Sequence, residues 1–309
     1  MIDTKDVRGI LTLVVTPFKK DLAPDQGRWI RHCRWLRTQN CGLAVFGTNS
    51  EANSLSFDER MTLLSALVEA GLEPEAMMPG TGSCSIPEST RLTSHAVGLG
   101  CAGVLMLPPF YYKGVSDEGL FRHFSEVILR VGDARLRIYL YHNPPVTQVP
   151  ITLALMERLL KAYPRTVVGI KDSSGDWSNT EAMLKAFPGF GVFAGNETTL
   201  LATLRGGGVG CISATANINA AAIHDLYANW QAADADGRQE KLNDFRLAMQ
   251  KFPMIPALKE TIAHCAGDPE WSRARAPLIE FTAEERKGLL AELEKRGFEM
   301  PGLAALAEI

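Results

Sequence analysis

The chain has 309 residues, 46% of them hydrophobic and 22% charged, so it can bury a sizeable core and lacks the composition of a disordered segment. Its 32 basic and 35 acidic residues give a net charge of −3, which excludes a nucleic-acid footprint and an acid-rich tail. Six cysteines, at 33, 41, 84, 101, 211 and 265, show no CxxC spacing and no clustering with histidine, so reduced thiols in a cytoplasmic protein are expected, with no metal.

The N-terminal "MIDTKDVRGILTLVVTPF" has a short apolar run and no small-residue cleavage pattern, so no signal peptide is expected. No stretch is apolar for long enough to span a membrane. Eight β-rich runs follow in chain order: "GILTLVV" at 9–15, "GLAVFG" at 42–47, "AMMPGTG" at 76–82, "AGVLML" at 102–107, "LRIYLY" at 136–141, "TVVGIK" at 166–171, "GFGVFAG" at 189–195 and "VGCISA" at 209–214. They are continuously apolar rather than alternating, the pattern of strands buried on both faces. Helical patterns fill the gaps. Ser56 with Glu59, Ser85 with Glu88 and Ser178 with Glu181 read as capping boxes, and Pro87 falls at a favoured early helix position. Eight strand–helix units in about 230 residues predict an α/β fold, a (β/α)8 TIM barrel over 1–232. The rival doubly wound sheet is weakened because no GxGxxG follows the first strand. From 233 to 309 the strand signal stops. Helical patterns at 235–252, 254–267 and 282–297 predict an α-helical C-terminal extension.

In a barrel, function sits where strands end. The ends carry Thr16, the "GTNSE" turn at 47–51, "GTGS" at 80–83, "PPFYY" at 108–112, Tyr141, Lys171, "GNE" at 195–197 and "ISATAN" at 212–217. Lys171 is the one lysine so placed. Desolvation disfavours an ammonium, so an apolar strand end favours the neutral amine, which attacks a ketone to give an imine. The competing structural expectation is an ion pair with Asp172 or Asp176. Tyr141 can shuttle protons for imine formation, and Thr48 can hold a carboxylate or relay a proton. Each is equally compatible with packing or capping when taken alone, as is the aromatic pair Tyr111 and Tyr112.

Taken together, "LTLVVTPF", "GTNSE", "LSFDER", "GTGS", "PPFYYKGVSDEGLFRHF", "YHNPP", "GIKDSSGD", "FAGNE" and "GVGCISATANI" resemble one family in order and spacing. It is the dihydrodipicolinate synthase / N-acetylneuraminate lyase family of pyruvate-dependent Schiff-base lyases. The resemblance implies that Lys171 forms the imine, that Tyr141 passes protons and touches the keto acid, and that Thr48 binds its carboxylate. It implies that Tyr112 reaches a neighbouring subunit's site in a homotetramer built from two dimers. Ile212 corresponds to a backbone contact beside the pyruvyl group, and Gly195 and Glu197 to a loop that meets substrate hydroxyls. No cofactor beyond the covalent imine is implied.

Two departures stand out. The family's turn reads Gly-Thr-Thr-Gly-Glu, whereas here it is Gly47-Thr48-Asn49-Ser50-Glu51. Asn49 can still donate to a carboxylate, but Ser50 would cost about 1 kcal/mol relative to Gly if the turn needed a positive φ there. Val146 stands where the synthases place an arginine that grips aspartate semialdehyde, and a valine forms no ion pair. The expected activity is an aldolase or lyase of a 2-oxo acid, with pyruvate as donor or product. The acceptor half would lie towards Val146, Ser173, Gly195, Glu197 and Ser213. Alternatives are 4-hydroxy-tetrahydrodipicolinate synthase, a 2-keto-3-deoxy sugar acid dehydratase, a non-catalytic keto-acid-binding barrel, and a pyridoxal-phosphate enzyme. The last lacks a Gly-rich phosphate cradle.

Overall fold

The computed structural model describes residues 7–305. Strands and helices alternate along it: β1 (Gly9–Thr12), α1 (Gln26–Thr38), β2 (Gly42–Leu43), α2 (Phe57–Glu69), α3 (Ile86–Gly98), β3 (Val104–Met106), α4 (Asp117–Val131) and β4 (Ile138–His142). There follow α5 (Pro144–Thr147), α6 (Leu153–Ala162), β5 (Val167–Asp172), α7 (Trp177–Ala186), β6 (Gly191–Ala194), α8 (Leu200–Arg205) and β7 (Gly210–Ser213). Five further turns of sequence are helical: α9 (Ala216–Ala228), α10 (Ala235–Met249), α11 (Met254–Ala266), a short 3-10 turn (Pro269–Ser272) and α12 (Ala283–Glu294). The strands form a sheet of order β2-β1-β7-β6-β5-β4-β3. Two compact units divide the chain, one of residues up to Gly9 with Glu73–Ile212, the other of Ile10–Leu72 with Ser213–Ile309.

In the first unit β3 to β7 pair in parallel, each with its sequence neighbour. The residues of β4, β6 and β7 are buried throughout, as their continuous apolar runs predict. A bulky Tyr139 is 1% exposed and crosses the core edge-on to Phe193, with its hydroxyl accepting the Val7 N–H at 2.9 Å. Gly169 makes room for it, since a Cβ there would lie 2.3 Å from the Tyr139 ring.

Seven of the eight expected strands form ladders. The run at 76–82 makes only a bridge at Gly80 with Leu105, through Leu105 N–H to Pro79 C=O and Thr81 N–H to Leu105 C=O. Pro79 has no N–H to give, and Gly82 lies against the Leu107 backbone, so regular pairing stops there. Two capping expectations also need correction. Ser85 precedes α3 but makes no side-chain cap, and the glutamate half of the box is engaged elsewhere: Glu88 accepts the Ser83 hydroxyl at 3.2 Å while Ser85 N–H donates to Ser83 Oγ at 3.3 Å. Helix α7 starts earlier than Ser178, with Asp176 as cap accepting the Ser178 N–H at 2.9 Å. The aspartate two residues upstream outcompetes serine for the same orphan donors.

In the second unit β1 pairs in parallel with β2, and Leu13 N–H donates to Ser213 C=O at 3.1 Å. The Ser56–Glu59 box caps α2 as expected, and Thr282 with Glu285 caps α12. Asn217 ties this unit together. Its Oδ1 accepts Val15 N–H at 3.0 Å, while its Nδ2 donates to Leu13 C=O and Ala214 C=O at 2.8 Å each. His32 Nε2 lies 3.3 Å from the same Oδ1, and its ring sits between Trp35 and Trp271. No helix among the described residues is long and apolar enough to cross a membrane.

Burial holds His32 down to about 4 from its ordinary 6.5, against the smaller opposing pull of Asn217. Between those values the unfolded chain carries a proton the folded chain lacks, so stability present above the unfolded value is lost as pH falls towards the folded one. Urea unfolding at pH 8 and pH 5 should show His32→Phe losing about 2 kcal/mol less than the parent over that interval. Equal losses would mean His32 is not held neutral.

Candidate active site

Lys171 and Tyr141 are direct partners across β4 and β5, so both side chains leave the same face of the sheet. Lys171 is 1% exposed, and its Nζ lies 4.1 Å from the centroid of the Tyr141 ring. Among the described residues its ammonium has no carboxylate and no hydrogen-bond acceptor. The two aspartates that would have explained it structurally are engaged elsewhere. Asp172 accepts Ser174 N–H at 2.9 Å, Asn179 Nδ2 at 3.0 Å and the Thr180 hydroxyl at 2.6 Å, whereas Asp176 caps α7. Strand alternation sends Asp172 to the opposite face from Lys171, so sequence adjacency does not make an ion pair.

On that opposite face Asp172 is in register with His142. His142 Nδ1 accepts Ile151 N–H at 3.0 Å, and burial lowers its pKa while the charge of Asp172 works against that fall. Asn143 Nδ2 approaches the Tyr141 hydroxyl at 3.4 Å. Sequence reasoning missed Asn143, although its spacing of two from Tyr141 is the signal that puts them on one side of an extended chain.

The remaining candidates of the first unit have mixed settings. Ser173 N–H donates to His142 C=O at 2.7 Å. Gly195 has a packing reason of its own: a Cβ would lie 2.3 Å from Asp172 C=O and 2.4 Å from Ser173 Oγ. Glu197 and Ile212 are fully buried. Val146 is 60% exposed, and Tyr112 is 73% exposed, its ring edge-on to Tyr111 with centroids 5.2 Å apart. In neither case does the described chain supply a contact with Lys171.

Thr48, Asn49 and Ser213 lie in the second unit. The turn carrying the first two is a pair of short 3-10 turns, Thr48–Ser50 and Ala52–Ser54. Gly47 is close-packed, since a Cβ would lie 2.4 Å from Leu13 Cδ2. The positive φ values of this turn fall on the residues that bracket it, Phe46 at 61° and Glu51 at 57°, and not on Ser50. Ser50 sits inside the 3-10 turn and needs no glycine-like backbone. Its carbonyl accepts the Thr16 hydroxyl at 2.7 Å. Ser213 and Thr215 share a buried hydroxyl contact of 3.1 Å.

A second buried lysine anchors this turn. Lys259 Nζ pairs with the Glu51 carboxylate, both side chains having no exposure. It also donates to Arg273 C=O at 3.0 Å and lies 4.5 Å from the Phe18 ring centroid. Burial draws each member towards its neutral form, raising Glu51 and lowering Lys259, and their mutual attraction works in the opposite sense. Beside it Arg275 holds Ser54 C=O at 2.6 Å and both oxygens of Glu59, at 2.8 and 3.0 Å. The six cysteines are free, and no group of His, Cys, Asp and Glu among the described residues is placed to hold a metal ion.

The profile of the dihydrodipicolinate synthetase family matches residues 6–296. An uncharacterized DapA-like lyase of Chloroflexus aurantiacus is 30% identical over 93% of this chain and 96% of its own. A 4-hydroxy-tetrahydrodipicolinate synthase of Acidiphilium cryptum is 34% identical over 73% and 76%. Among solved structures, the dihydrodipicolinate synthase of Agrobacterium tumefaciens superposes with a TM-score of 0.86 at 34% identity, covering 94% of this chain and 99% of that one. A prophage protein of the same family from E. coli, solved with pyruvate, gives 0.85 at 26% identity with the same coverage. The N-acetylneuraminate lyase of Fusobacterium nucleatum shares the fold, with a TM-score of 0.83 at 21% identity. The parallel sheet, the helices between its strands and these likenesses make the fold TIM-barrel-like.

Gly195→Ala should separate a packing role from a substrate contact. The added methyl must displace the Asp172–Ser173 backbone, so thermal or urea unfolding should show a loss of about 1–3 kcal/mol. An unchanged stability with lowered activity would instead place substrate against this glycine.

Proposed function

Because the chain belongs to the dihydrodipicolinate synthetase family and is a pyruvate-dependent Schiff-base lyase of the class I aldolase type, we propose that its reactive amine is Lys171. The observation that carries this is a buried lysine with an aromatic ring beneath it and no anion beside it. The neutral amine adds to the ketone of a 2-oxo acid, water leaves, and a protonated imine remains. That imine takes up the electron pair when an adjacent C–C bond breaks or a proton leaves C3, giving the enamine.

Tyr141 moves the protons of imine formation, with Asn143 orienting its hydroxyl. The roles of Thr48 and Asn49 in holding the substrate carboxylate, of Ile212 and Ser213 beside the pyruvyl group, and of Tyr112 in reaching a neighbouring subunit rest on the resemblance. The acceptor half lies towards Val146, Ser173, Gly195 and Glu197. Val146 supplies no charge, which favours an uncharged, hydroxylated acceptor over aspartate semialdehyde. In this reading residues 1–232 close as a (β/α)8 barrel with 76–82 as its short eighth strand, and 233–309 form a C-terminal helical extension. The enzyme needs no cofactor and works in the cytoplasm as a homotetramer. The named activity of the Acidiphilium relative favours a second reading, 4-hydroxy-tetrahydrodipicolinate synthase.

Borohydride reduction with pyruvate, followed by peptide mapping, should find the adduct on Lys171 and none in Lys171→Ala. Label on Lys259 or on no residue would overturn the assignment. Tyr141→Phe should slow imine formation by about 10²- to 10⁴-fold. Condensation with aspartate semialdehyde at rates matching those with uncharged aldehydes would establish the second reading.

A further inference from the structure

Lys259 is a fully buried charge that the imine chemistry does not use. Glu51, its partner, is the last residue of the "GTNSE" turn and holds a left-handed backbone at φ 57°, ψ 34°. A residue with a Cβ resists that conformation and keeps it only where the surroundings impose it. The backbone bonds here are of the short 3-10 kind, Ser50 N–H to Gly47 C=O and Glu51 N–H to Thr48 C=O at 3.1 Å each and Ser54 N–H to Glu51 C=O at 2.8 Å, a geometry that holds a turn less firmly than a helix. The side chain supplies the rest. Its carboxylate is pinned to an ammonium that is itself fixed by Arg273 C=O and the Phe18 ring. Arg275 holds the following residues at Ser54 and Glu59, so the exit of the turn is clamped from the C-terminal helical segment at two points. Thr16 bonds the Ser50 carbonyl between them.

We propose that Lys259 is a positioning residue for the reaction: through Glu51 it fixes the turn in the shape by which Thr48 and Asn49 take the carboxylate of the 2-oxo acid. The inference rests on the proposed role of that turn and adds to it the residue that sets its geometry. A buried ion pair kept for stability alone is replaceable by apolar groups of similar size. One that sets a binding turn is not, because the apolar replacement removes the directional anchor on Glu51.

The test compares two ketones that differ in one charge. Borohydride trapping on Lys171 is measured against concentration for pyruvate and for methyl pyruvate, which keeps the ketone and lacks the carboxylate. The variants are Lys259→Met, Glu51→Gln and the double variant Glu51→Gln/Lys259→Met. The double variant leaves no lone buried charge, so it carries the comparison where the single lysine variant fails to fold, with circular dichroism as the check. In the double variant the half-saturating pyruvate concentration should rise about tenfold or more, the loss of a charge-assisted contact. That for methyl pyruvate should stay within about twofold, and trapping at saturating pyruvate should be kept. A parallel rise for both ketones would mean a general loosening and would overturn the proposal, as would no rise for either. Failure of the unsubstituted enzyme to trap pyruvate at all would instead overturn the assignment of Lys171.

Discussion

The contact between Lys171 and the Tyr141 ring is the constraint on which the proposed chemistry depends. It exists because β4 and β5 are parallel neighbours in a register that sets residues 141 and 171 side by side. A shift of one residue in either strand would send one of the two side chains to the other face. The register is therefore part of the proposed site. It is secured by a core that tolerates little movement: Gly169 leaves room for Tyr139 and nothing larger, and Tyr139 reaches the Val7 backbone. The residues that fix the strands are not the ones that react, yet they decide which faces the reactive ones share.

The opposite face performs a second task. Asp172, one residue from the amine, spends both oxygens on the loop into α7, while His142 takes an amide from Ile151. Were Asp172 turned the other way, it would stand beside Lys171 as an ion-pair partner. Alternation along the strand keeps a structural carboxylate adjacent in sequence and absent in space. A neutral phenol ring is what the amine meets instead.

Much of this was legible in the sequence, and the physical reasons for the rest differ by element. Continuous apolar runs announced seven strands because burial on both faces leaves an unmistakable composition. The same signal at 76–82 overstated the pairing, since Pro79 and two glycines limit what a backbone can donate or where it can sit. Lys171 and Tyr141 were visible as strand-end residues, but their mutual placement is a matter of register, which no local pattern encodes. The choice between Ser178 and Asp176 as cap turned on which oxygen reaches the first free amides, a competition that motif spacing does not resolve. At the turn 47–51 a serine in place of glycine raised the question of strain at Ser50. Substituting a known pattern residue by residue located the odd position at Ser50, whereas the backbone puts its left-handed residues at Phe46 and Glu51.

That difference exposes what sequence reading had no means of seeing. Lys259 sits amid "PALKETIAH", a stretch whose periodicity marks it as helix and nothing more. Its burial follows from its partner, and the partner is more than 200 residues away in the chain. The fold thus contains two lysines of nearly equal burial put to opposite use. One is matched with a carboxylate, a carbonyl and an aromatic ring, so its charge is satisfied and its position immovable. The other has the ring alone. Burial is common to both, and the difference is the anion, which Lys259 has and Lys171 lacks among the described residues. Burial by itself therefore does not separate an anchoring lysine from the one proposed to react; the partners each side chain meets do.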